Sequence, residues 1–310
     1  MAERSIGKTG RTVKRSPRVK ALIFAVFVAL LGTVAVGSAK GGLRPWLRER
    51  WYDLRDAQRK AELPEAVGFN VISTEPSEGG RVEKSKPVTS TQPMRSLDSV
   101  PIAIGTPLGM TTSTESVAAA VNLKIPFVSQ APHRNWDMPY QEACEEASAI
   151  MASLYYQGDT REIVIGDAGD ALLKKVIAWE EERFGYYKDT TVAETVVMLE
   201  EYFKLRARIV DGPTVKDIKE AVAAGYPVLV PAYGKVLPNP YFKNGGPLYH
   251  MLVVKGYTET KFITNDPGTN TRGAEFTYTY DALMSAIHDW NGGDVPNGAK
   301  RIIIVEGPSV

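Results

Sequence analysis

The chain is short of the residues on which much enzyme chemistry relies. Its 310 residues include one cysteine, Cys144, and three histidines, His133, His250 and His288. A single cysteine excludes an intramolecular disulfide and any multi-cysteine metal site. A surplus of charge is missing too: 37 Lys and Arg stand against 36 Asp and Glu, for a formal net charge of +1. The chain as a whole therefore has no nucleic-acid footprint. It also lacks an internal repeat and a nucleotide-binding motif, and no metal or cofactor is implied. Apolar residues are plentiful, at 44% of the total, and aromatics reach 9%, which is enough for a substantial core.

The near-zero net charge hides an uneven distribution. Residues 1–20 carry Arg4, Lys8, Arg11, Lys14, Arg15, Arg18 and Lys20 against one acid, Glu3. Residues 21–39, ALIFAVFVALLGTVAVGSA, carry no charge. About 20 apolar residues span a bilayer as a helix, and this run exceeds the ~7–15-residue core of a signal peptide. It reads as an uncleaved transmembrane anchor, with signal cleavage after Gly37-Ser38-Ala39 as the alternative. The basic leader places 1–20 in the cytoplasm and everything after the anchor outside. The expected location is thus the cell membrane, single-pass, or the exterior if the segment is removed. Residues 40–62, rich in Arg and holding Trp46 and Trp51, read as a juxtamembrane helix, and equally as a solvated charged one. Residues 63–116 turn to Pro, Ser, Thr, Gly and Glu. Such a stretch buries too little apolar surface to offset its conformational entropy, so a disordered linker is expected.

Residues 117–310 read as the globular part. Ala143, Ala147, Ile150, Met151, Leu154 and Tyr155 recur at helical spacing and form one face of a helix ending near Gly158. A second helix is expected over 168–183. Thr191-x-x-Glu194 is a capping-box pattern opening a third, through about Lys204, and Thr214 with Asp217 opens a fourth, ended by Gly225 and Pro227. Strands follow at 206–210, 228–233, 249–257, 261–265, 276–280 and 301–305, with a helix at 281–290 between the last two. Helices first and antiparallel-looking strands after describe an α+β domain.

Cys144 falls at the expected start of the first of these helices. There the macrodipole, roughly +0.5 charge, favours thiolate over thiol. Glu145 and Glu146 suit a first helical turn but set negative charge against a thiolate. A thiol nucleophile needs a base, a group that orients the base, and donors for the oxyanion. His250 starts an apolar strand after the loop Gly245-Gly246-Pro247, and Asp266 ends the next strand. A hairpin between them would let Asp266 accept from Nδ1 of His250 and fix its tautomer. Asn265 is the other candidate orienter, although its side chain should point to the opposite face. Trp136, Tyr140 and Tyr249 are candidate cleft residues. His133 reads as a cleft or loop-capping residue, and His288 as surface or packing. A buried, inert cysteine and a satisfied core histidine are the plainer readings of the same positions.

The joint pattern resembles a known family. Ile125-Pro-Phe-x-Ser-Gln-Ala-Pro132, Asn135-Trp-Asp-x-Pro-Tyr-Gln-Glu-Ala-Cys-Glu-Glu-Ala-Ser148, a Gly-Gly-x-x-x-His strand and Asp266-Pro267 look like the peptidase C-39-like domain, a papain-like cysteine peptidase fold. The resemblance covers roughly 120–305. It implies a helical part carrying the cysteine and an antiparallel sheet carrying the histidine and aspartate. It further implies Cys144 as nucleophile, His250 as general base and acid, Asp266 as orienter, and Gln130 as side-chain donor to the oxyanion. Bacteriocin-processing relatives usually have Gly after the Cys and are fused to a transporter. Glu145 and the single anchor set this chain apart, in a stand-alone branch carried on bacterial surfaces. The expected partner is a peptide or protein substrate, with cell-wall peptide as one candidate. A non-catalytic surface-binding module with the same fold is the alternative.

Overall fold

The computed structural model describes residues 43–69 and 118–309. The expected anchor at 21–39 and nearly all of the expected linker lie outside them. Among the described residues no helix is long and apolar enough to cross a membrane. The chain divides after Leu63 into two compact units. In the first, α1 (Leu43–Ala61) is helical, as its lack of interior Gly and its many Arg and Leu residues favour.

The second unit begins earlier than its composition suggests. Val67 forms a parallel bridge with Leu123, and its amide donates to the carbonyl of Asn122 at 2.7 Å. Asn122 in turn donates from Nδ2 to the carbonyl of Pro64 at 3.0 Å. Phe69 stacks against Tyr155 and Tyr156, with centroids at 5.6 and 4.9 Å. Residues 64–69 are therefore docked onto the fold rather than part of a linker. Phe69 supplies the apolar contact and Val67 a backbone bridge, its own side chain staying 54% exposed, and the average composition of the segment conceals both.

In chain order the unit contains β1 (Val121–Asn122), β2 (Phe127–Val128), α2 (Cys144–Tyr156), β3 (Ile163–Val164), α3 (Gly166–Phe184), α4 (Val192–Val197), β4 (Leu205–Asp211), α5 (Val215–Ala223), β5 (Val228–Tyr233), β6 (Tyr249–Tyr257), β7 (Lys261–Asn265), β8 (Phe276–Thr279), α6 (Tyr280–Ala286) and β9 (Arg301–Pro308). Both expected capping boxes are present, at Thr191/Glu194 and Thr214/Asp217. Past Val197 the third helix widens into a π turn, Met198–Tyr202.

A seven-stranded antiparallel sheet runs β4-β9-β5-β6-β7-β8, with β1 pairing β6 at its far end. Gly256 makes that pairing possible: a Cβ there would lie 2.4 Å from the carbonyl oxygen of Val121. All nine residues of β6 are buried, so both faces of the sheet's centre are covered. Helix α2 packs on β6. It was expected to bury one face, yet every residue from Cys144 to Tyr156 is buried. The short β2/β3 pair, α3, β9 and the turn after β7 enclose its remaining sides. At ~1.5–3 kcal/mol for each fully buried large apolar side chain, Ile150, Met151 and Leu154 anchor this helix firmly.

Candidate active site

Cys144 occupies the first position of α2, separated by Ala143 from the 3-10 turn Tyr140–Glu142. His250 lies at the start of β6, and Asp266 directly follows β7. The β6/β7 pairing, with Val253 opposite Asn265, returns the chain so that Asp266 reaches the histidine. His250 Nε2 and Asp266 Oδ1 are 2.9 Å apart, and both side chains are buried, at 1% and 0% exposure. The ring presents Nε2, not the expected Nδ1, to the carboxylate. Phe242 packs edge-to-face on the imidazole at 5.5 Å, and Gly268 leaves room at its Cε1. These two contacts fix the ring so that Nδ1 is the nitrogen left for a proton acceptor's role.

Four donors surround Asp266. Oδ1 accepts from His250 and from the Gly268 amide at 3.0 Å. Oδ2 accepts from Asn239 Nδ2 at 3.0 Å and Tyr278 Oη at 2.6 Å. Burial alone would push this carboxyl up. The charge of His250 and the hydrogen bonds from His250, Tyr278 and Gly268 outweigh burial and hold it below the ordinary carboxylate value. Asn239, Tyr278, Phe242 and Gly268 were not singled out from sequence. Asn239 opens an Asn-Pro turn, and Tyr278 lies in the strand paired with β7, so topology reveals them but local pattern does not.

Gln130 is tied to this pair by a backbone contact, whereas Cys144 Sγ makes no hydrogen bond to His250. The Gln130 amide donates to the carbonyl of Pro267, next to Asp266, at 3.3 Å. Helix α2, which begins with Cys144, packs on β6, which carries His250, and the Met251 backbone there favours the thiolate. The side-chain amide of Gln130 is placed differently from expectation. Its Nε2 donates to the carbonyls of Tyr140 and Gln141, at 3.0 and 3.1 Å, and its Oε1 is buried without a partner. Both donors are taken up by the turn that leads into Cys144, so neither is presented to an oxyanion.

The thiol also differs from expectation. Cys144 Sγ donates to Glu145 Oε2 at 3.0 Å. Burial, then the charge and hydrogen bond of Glu145 and the charge of Glu146, push the thiol well above its ordinary value, against the Met251 amide. The helix dipole was expected to favour thiolate, but desolvation outweighs it here. Glu145 and Glu146 are buried, at 1% and 0% exposure, rather than solvated in a first turn. Glu146 lies beside Glu180 of α3, also fully buried, so that the charge of each opposes ionisation of the other. No donor among the described residues reaches any of their four carboxyl oxygens. Burial accordingly pushes Glu180 up to about 9, and Glu145 and Glu146 well above their ordinary value.

The expected cleft aromatics divide. Trp136 is half-buried on the loop before Cys144. Tyr140 and Tyr249 are buried and do not line an open cleft: Tyr140 donates its hydroxyl to Asp170, and Tyr249 donates to the Thr190 carbonyl at 3.1 Å. Asn265 points away from His250, as its strand parity requires, and donates to the carbonyl of Ile125 at 3.1 Å. His133 is exposed and meets Asp167 at 3.2 Å, while His288 Nδ1 meets the Gly298 carbonyl at 2.9 Å.

A buried helix that carries the lone cysteine, set against an antiparallel sheet that carries a buried His–Asp pair, is an α+β layout suited to thiol-dependent hydrolysis. The model of the Peptidase_C39 like family matches residues 122–292, more than half of the chain, and that stretch includes Gln130, Cys144, His250 and Asp266. The chain belongs to this family. Among solved structures, a candidate C39-like peptidase from Bacillus anthracis is similar at 16% identity, over 62% of this chain and 100% of that one, with a TM-score of 0.42. That likeness is too slight to carry weight by itself. No curated protein matches the chain.

Proposed function

We propose that the chain is a papain-like cysteine peptidase that cleaves peptide or amide bonds through Cys144, His250 and Asp266. The observation that carries this reading is the buried His250–Asp266 pair, with His250 on the strand against which the helix of Cys144 packs. Asp266 accepts from Nε2–H and so keeps Nδ1 unprotonated, as a general base requires. His250 Nδ1 takes the thiol proton, and the sulfur attacks the substrate carbonyl. The imidazolium then protonates the leaving amine, and water hydrolyses the thioester.

The Cys144 amide is in the first helical turn, where N–H groups lack intrahelical acceptors, and it serves the oxyanion. Gln130 acts mainly by holding the Tyr140–Gln141 turn from which Cys144 projects. Residues 21–39 anchor the protein with this domain outside the cell, where exported proteins and wall peptides are within reach.

The contact between Cys144 and Glu145 favours a second reading, a non-catalytic binding module with a thiol at rest in the core. Incubation with a broad peptide library separates the two. Cleavage by the wild type and none by Cys144→Ala supports the peptidase. Identical, uncleaved libraries with both proteins support the binding module.

A further inference from the structure

We infer that α1 is an interfacial helix that lies on an anionic bilayer surface, with Leu47, Trp51 and Leu54 against the acyl boundary. This goes beyond the peptidase reading and does not depend on it. The three side chains are 44%, 52% and 40% exposed, which is uncommon for large apolar residues so close together. At about 100° per residue they fall within roughly 60° of one another on the helix.

Charge is sorted around this stripe. Arg55 and Arg48 follow Trp51 around one side, and Arg50 borders Leu54 on the other while pairing with Asp53 at 3.8 Å; Arg59, farther round, is mostly buried and pairs with Asp56 at 2.7 Å. Glu49, Asp53 and Asp56 gather on the opposite face. Arg48, Arg55 and Arg50 thus flank the apolar face, while the acids, with Lys60 among them, lie on the far side. The Arg55 guanidinium lies 4.4 Å from the Trp51 ring centroid, and that of Arg50 lies 5.9 Å from Trp46. These stacks keep cationic heads beside the apolar rings that they border.

A bilayer interface fits both features. Its headgroups receive the arginines while Trp and Leu enter the boundary layer, as in helices with a polar face and low mean hydropathy. Anionic lipid adds a favourable term for each basic residue near the surface. A second copy of the helix fits less well, because two such stripes face to face would oppose their own arginine borders.

The test uses the full chain reconstituted into vesicles of phosphatidylcholine alone or with phosphatidylglycerol, each with brominated acyl chains. The quenching assigned to α1 is the part lost in a Trp46→Phe/Trp51→Phe variant. We expect strong quenching with phosphatidylglycerol and much less without it. In Arg48→Gln/Arg55→Gln the surface-bound equilibrium should fall about fivefold per arginine, or about 25-fold in all. Quenching equal in both lipids and unchanged in the arginine variant would overturn the inference. So would quenching that depends on protein-to-lipid ratio instead of lipid charge, which would point to a second copy.

Discussion

Replacing Glu180 by glutamine should remove most of one proton's worth of pH dependence from the fold. Glu180 is fully buried, and its carboxyl is pushed up to about 9 from 4.5, by burial first and then by the charges of Glu145 and Glu194. In the native state it stays protonated at neutral pH, whereas in the unfolded chain it ionises above about 4.5. The unfolded state then binds fewer protons, so native stability falls as pH rises between those values.

One such group changes stability by about 1.4 kcal/mol per pH unit, or about 3 kcal/mol between pH 6 and pH 8. Glu145 and Glu146 shift in the same direction, so the wild type should slope more steeply than one group alone. Glu180→Gln cannot ionise and still offers Glu146 an N–H donor. Urea unfolding at pH 6 and pH 8 measures the effect. The variant should gain on the wild type by about 3 kcal/mol over that interval, with the urea slopes unchanged. A wild-type-to-variant difference that is the same at both pH values would refute a Glu180 carboxyl that stays protonated in the fold. The point bears on catalysis, because neutral carboxyls behind Cys144 leave a nascent thiolate unopposed, and ionised ones would repel it.

Three further expectations concern the His–Asp pair. Asp266→Asn should lower turnover on the order of 10²–10⁴-fold, by loss of the tautomer control that an orienting carboxylate exerts, read from steady-state rates on any cleaved peptide. Tyr278→Phe removes a 2.6 Å bond to an ionised group and should cost about 1.5–3 kcal/mol, read by urea unfolding at pH 7. Because Asp266 is held below its ordinary value, its stabilising share is present above ~3.9 and lost as pH falls through the native value. Losing Tyr278 raises that native value, so the acid-unfolding midpoint followed by circular dichroism should move to higher pH. Gly268→Ala places a Cβ 2.9 Å from His250 Cε1 and should cut turnover while leaving the far-ultraviolet spectrum intact.

Much of the sheet was legible because its strands are β-branched runs bounded by turn residues. The bounds of β5, β6 and β7 coincide with those expected. Local patterns were less informative where a distant partner decides the outcome. The helix expected over 281–290 stops at Ala286 because Ile287 pairs with Ala232 and the His288 amide donates to Pro231 at 3.2 Å, continuing the edge of β5. Glu145 and Glu146 look like first-turn surface residues until α3 brings Glu180 over them. In the candidate site, the pairing of His250 with Asp266 was readable from the hairpin. The ring face was not, because Phe242 and Gly268 set it from separate segments. The side-chain amide of Gln130, expected at the oxyanion, is occupied by two carbonyls of the turn before Cys144 that have no sequence signature.

The coupling of Cys144 to His250 is tested most directly by the alkylation rate of the lone thiol as a function of pH. Every labelled site is Cys144, because the chain has no other cysteine. If His250 takes the thiol proton, iodoacetamide should label the wild type rapidly at neutral pH. In His250→Ala the rate should fall about tenfold or more, and recover only as the pH approaches that of a buried thiol. Slow labelling with the same pH profile in both proteins would mean that the cysteine is an inert core residue, and would contradict the account.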